Sequence, residues 1–94
     1  MIEGKAVARF GKGDILMTSL CNEDRGKCCV VLHNQAAKEI GEEVSTDGFH
    51  IEEDDTLLVF TSVNSIDVLI DKLFEAKLMM KGAFKAEKTI EQEY

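Results

Sequence analysis

The chain has 94 residues, 45% of them hydrophobic and 31% charged, with a formal net charge of −7. That length suits one folded domain, and the composition is that of a globular rather than a disordered protein. Eighteen Asp and Glu against eleven Lys and Arg leave no basic footprint, which argues against direct nucleic-acid binding and against an anionic membrane surface. The longest uncharged stretches, opening at Cys28 and Thr56, are too short or too polar to span a bilayer. Glu3, Lys5 and Arg9 interrupt any apolar leader, so the expectation is a cytoplasmic protein. Cys21, Cys28 and Cys29 are an odd set within nine residues, a pattern expected of free thiols in a reducing compartment rather than of a disulfide scaffold.

A first strand is predicted over 5–10, followed by a Gly11-Lys12-Gly13 turn and a second strand over 15–21. A two-residue Lys12-Gly13 loop sets Phe10 opposite Ile15 and Ala8 opposite Met17. The polar run Asn22-Glu23-Asp24-Arg25-Gly26-Lys27 turns the chain again, with Gly26 suited to a left-handed conformation. A third strand covers 28–33. A four-residue loop over 23–26 places Cys21 opposite Cys28, Met17 opposite Leu32, Leu20 opposite Cys29 and Leu16 opposite His33. Both faces of this meander are then largely apolar, with Ile15, Met17, Val30 and Leu32 on one and Leu16, Leu20 and Val31 on the other. A solvated face alternates apolar with polar residues, so each face needs a cover, and one helix supplies only one.

Residues 35–40 form one helical turn or an irregular segment ended by Gly41. A short edge strand is expected at 49–51, and the acidic 52–55 reads as a turn. The run Thr-Leu-Leu-Val-Phe-Thr-Ser at 56–62 is the strongest strand signal and continuous enough to be central. A helix follows over about 64–81, with Asn64 as N-cap, Asp67 near its positive end, and Val63 and Val68 as a hydrophobic staple. Ile66, Leu69, Ile70 and Leu73 give it a core-facing stripe, and Gly82 provides a left-handed cap. Phe74 and Met79 lie off that stripe, available to a partner. The fold class is α+β: an antiparallel β-meander with this C-terminal helix packed on the sheet. Residues 1–82 make the single domain, and 83–94 a charged tail that frays or extends the helix.

Cys21, Cys28, Cys29 and His33 are four soft ligands, the number structural zinc takes. Adjacent Cys28 and Cys29 point to opposite faces of a strand, however, so the set does not converge, and neither metal nor cofactor is expected. Gly11-Lys12-Gly13-Asp14 lacks the spacing of a phosphate loop, and the 52–55 carboxylates lack the alternation of a calcium loop. The polar cluster His33, Asn34 and Gln35 at a strand end, with Arg9, is the candidate ligand-contact site. Glu52, Glu53, Asp54 and Asp55, and separately Phe74 and Met79, are candidate partner contacts. These features point to a small, non-enzymatic binding or regulatory module that self-associates. Two alternatives stand beside it: a small-ligand-binding protein with sites at subunit contacts, and an acidic inhibitor of a basic nucleic-acid-binding protein.

Overall fold

The computed structural model describes residues 1–4, 7–45, 48–83 and 90. In chain order they form β1 (Ile15–Cys21), β2 (Cys28–Asn34), β3 (Thr56–Phe60) and α1 (Val63–Met80). The strands make one antiparallel sheet in the order β1-β2-β3. The α+β meander with a C-terminal helix is therefore the observed architecture. The chain divides into two compact units, Met1–Thr61 and Ser62–Tyr94.

In the first unit the β1–β2 hairpin has the register that its loop length dictates. Cys21 faces Cys28, Leu20 faces Cys29, Met17 faces Leu32 and Leu16 faces His33. The ends of the ladder fix which groups bond across it. The Gln35 N–H donates to the Asp14 carbonyl (2.9 Å) and the Asn22 N–H to the Lys27 carbonyl (3.0 Å). Antiparallel ladders alternate, so residues 16, 18 and 20 bond to β2, as 14 and 22 do to the residues flanking it, while Ile15, Met17, Ser19 and Cys21 turn their N–H and C=O to the outer edge. Cys21 and Cys28 thus occupy a non-hydrogen-bonded pair, where strands approach most closely, with Cα atoms 4.0 Å apart. The structure joins them in a disulfide. This corrects the expectation of three free thiols, which rested on cysteine count, whereas the pairing depends on register. Cys29, on the opposite face, is a half-buried free thiol.

The turn between β1 and β2 differs in one detail. Arg25 (φ 61°), not Gly26, takes the left-handed conformation. Side chains hold it there: Asn22 Oδ1 accepts from the Lys27 N–H (3.1 Å), and Asp24 Oδ1 from the Gly26 N–H (2.8 Å).

Two expected strands are not formed. Residues 5 and 6 lie outside the described set, and Val7–Phe10 is irregular, so Phe10 and Ala8 do not pair with Ile15 and Met17. The reason lies at Gly13, whose carbonyl accepts from the Lys38 N–H (3.0 Å) and from Gln35 Nε2 (3.2 Å). The backbone that the expected hairpin needs is committed to the extension of β2. Residues 49–51 are likewise irregular; Phe49 instead sets its ring edge-on to His33, with centroids 6.0 Å apart.

The 56–62 strand is shorter than expected and lies at an edge, with β2 central. Its uninterrupted apolar run is therefore not a mark of burial on both sides, and Val59 is 54% exposed. The only described hydrophobic side chain that is fully buried is Val31, at the middle of β2 between Thr18 and Leu57.

In the second unit α1 starts earlier than expected. Ser62 is the N-cap, without a side-chain capping bond, which moves Asn64 inside the first turn, removes Val63 and Val68 from staple positions and leaves Asp67 beyond that turn. Ser suits an N-cap as well as Asn, so composition alone does not choose between them. The other end is as expected. Gly82 adopts φ 72° and donates to the Met79 carbonyl, while the Ala83 N–H donates to Leu78 (both 3.0 Å). These two bonds make a Schellman cap. Phe74 and Met79 are exposed, as are Ile70 and Leu73 of the expected core stripe. Of the 83–94 tail, all but 83 and 90 lie outside the described residues.

Candidate functional site

The strongest side-chain constellation forms where β2 ends and β3 begins. Leu32 pairs with Thr56, so the next residues outward, His33 and Asp55, stand across from each other. His33 Nδ1 and Asp55 Oδ1 are 2.5 Å apart. The Asp55 side chain is only 1% exposed and that of His33 26%. The other carboxylate oxygen accepts the Glu52 backbone N–H (2.8 Å), and the Asp55 N–H returns to the Glu52 carbonyl (3.1 Å). One carboxylate thus closes its own turn and clamps that turn to β2.

Its electrostatics follow from these contacts. The hydrogen bond that His33 donates to Asp55, reinforced by the charges of Asp55, Glu52 and Asp54, raises His33 above the ordinary 6.5 against a smaller opposing desolvation. The Glu52 N–H, then His33, hold Asp55 below 3.8. Both shifts favour the ionised pair. A shallow cleft of about 180 Å³ opens beside it, lined by His33, Ser45, Phe49, His50 and Glu52. His50 Nε2 and Glu52 Oε1 stand 3.9 Å apart at its rim.

This arrangement rearranges the expected sites. Asp55 is sequestered by His33 and is not part of a solvated acidic patch; Glu52, Glu53 and Asp54 remain exposed. His33 and Asn34, being consecutive on β2, face opposite sides of the sheet. Asn34 instead lines a second cleft of about 250 Å³ with Arg9, Asp14 and Asp54. Gln35 spends its amide on the Gly13 carbonyl. The His33–Asp55 partnership itself was missed, because it depends on the register of β3 across a 21-residue connection.

Among the described residues no three metal-ligating side chains gather, and no helix is long and apolar enough to cross a membrane. Comparison of the chain with family models, curated protein sequences and solved structures finds no match.

Proposed function

We propose that this chain is a small, acidic, non-enzymatic binding module that acts as a homo-oligomer. The observation that carries the reading is the scarcity of buried apolar surface. Val31 alone is fully buried among the described hydrophobic residues, while Leu57, Leu58 and Val59 on β3 and Leu73 and Phe74 on α1 stay exposed. Large apolar side chains left exposed in this number on both units support association, because contiguous exposed apolar surface is uncommon on monomers. The His33–Asp55 pair fits a structural role in this reading, because both carboxylate oxygens are engaged in holding the 52–55 turn.

Light scattering at micromolar concentration is expected to give a multiple of 10.5 kDa, and Phe74→Glu to shift it toward the monomer. A monomer alone, in the unsubstituted protein, rejects self-association. A second reading, a small-ligand site, is favoured by one specific observation: Arg9 and Asn34 line the same cleft.

A further inference from the structure

A cavity of the first unit is built against the edge strand β1. It has a volume of about 460 Å³ and is lined by β1 residues Ile15, Leu16 and Met17 together with Phe10, Ile40 and Val44. β1 is an outermost strand, and Ile15 and Met17 are two of the residues whose N–H and C=O point outward from it. A groove beside such groups has the form that an added strand fills: main-chain bonds give affinity, and wall pockets take alternate side chains.

The walls also specify charge. Asp14, Glu39, Glu42 and Glu43 line the groove, and no Lys or Arg does so among the described residues. Phe10, Met17 and Ile40, all lining residues, are exposed. A second copy of this chain is a poor occupant: β1 against β1 would bring the same carboxylates of both copies together, and the uncharged β3 edge brings no cation to them. An extended segment with apolar residues alternating with lysine or arginine meets both demands, since its apolar side chains enter the groove and its cations meet the carboxylates.

We infer that the β1 edge is the docking site for an extended, basic peptide segment of a partner protein, which adds to the sheet as a fourth strand. The inference rests on the binding-module reading but not on self-association, which light scattering tests separately.

The probe is a labelled peptide of alternating lysine and isoleucine, compared with its glutamate counterpart and with a version N-methylated at alternate amides. The basic peptide is expected to bind, shifting the amide NMR resonances of Ile15, Met17 and Ser19. The glutamate and methylated peptides are each expected to bind about tenfold or more weakly, from lost charge complementarity and lost main-chain donors respectively. Met17→Pro removes an outward N–H at an edge position that tolerates proline, and is expected to abolish binding. Should that variant fail to fold, the triple substitution Glu39→Gln, Glu42→Gln, Glu43→Gln reads the same site through a loss of about tenfold and a weaker salt dependence. Equal binding of the basic and acidic peptides, shifts confined to Thr56–Phe60, or no binding of the basic peptide would each overturn the assignment.

Discussion

Thr18 sits directly across from Val31, and its buried Oγ1 has no hydrogen-bond partner. A hydroxyl held away from water without a partner costs about 1–3 kcal/mol. Thr18→Val keeps the shape and β-branching and removes that cost, so denaturant unfolding is expected to show a gain of about 1 kcal/mol. The His33–Asp55 pair predicts a pH profile. A raised His33 contributes stability that is complete below 6.5 and is lost as pH rises through its folded value. A depressed Asp55 contributes stability present above 3.8 and lost as pH falls through its folded value. Stability from the pair is therefore greatest between these limits. Unfolding at about pH 5 and about pH 8.5 is expected to show a decline that His33→Gln largely removes; an unchanged decline in that variant would assign it elsewhere. At this scale the pleat separating Cys28 from Cys29 was legible in the sequence, whereas the same alternation splits His33 from Asn34, which the expected polar cluster had joined. The Asp55 partner was not legible, because no local pattern sets the β2–β3 register.

Local elements were legible where short-range geometry governs them. The β1–β2 register follows from a short loop, and the cap at Gly82 from a glycine placed just past an amphipathic run. What escaped was non-local. Gly13, with φ 70°, lies so close to Lys38 that a Cβ would overlap that residue's carbonyl oxygen, and this contact draws the chain away from the expected first hairpin. β3 has the composition of a central strand, yet its position depends on whether another strand pairs beyond it. The turn at Arg25 offers a test at this level. A non-glycine residue at φ 61° carries a left-handed penalty that glycine avoids, and Arg25→Gly is expected to stabilise by about 0.5–1 kcal/mol net of glycine's greater chain entropy. A thermal midpoint that falls in this variant would mean that Arg25 makes compensating contacts.

At the scale of the whole chain, one unit is a three-stranded sheet with two unlike edges and the other carries the helix. The β3 edge is uncharged along Thr56–Phe60, whereas the β1 edge is flanked by carboxylates. Pairing of β1 in one copy with β3 in the next would be head-to-tail, and such contacts close on themselves only for particular rotations; otherwise they propagate as open ribbons. Charge at one edge opposes that growth, because each added copy carries seven more negative than positive charges toward a surface of the same sign. The acidity of this chain thereby gains a meaning apart from partner choice: it guards an incomplete sheet against becoming a fibre, and the guard weakens as the medium approaches the isoelectric point of about 4.7.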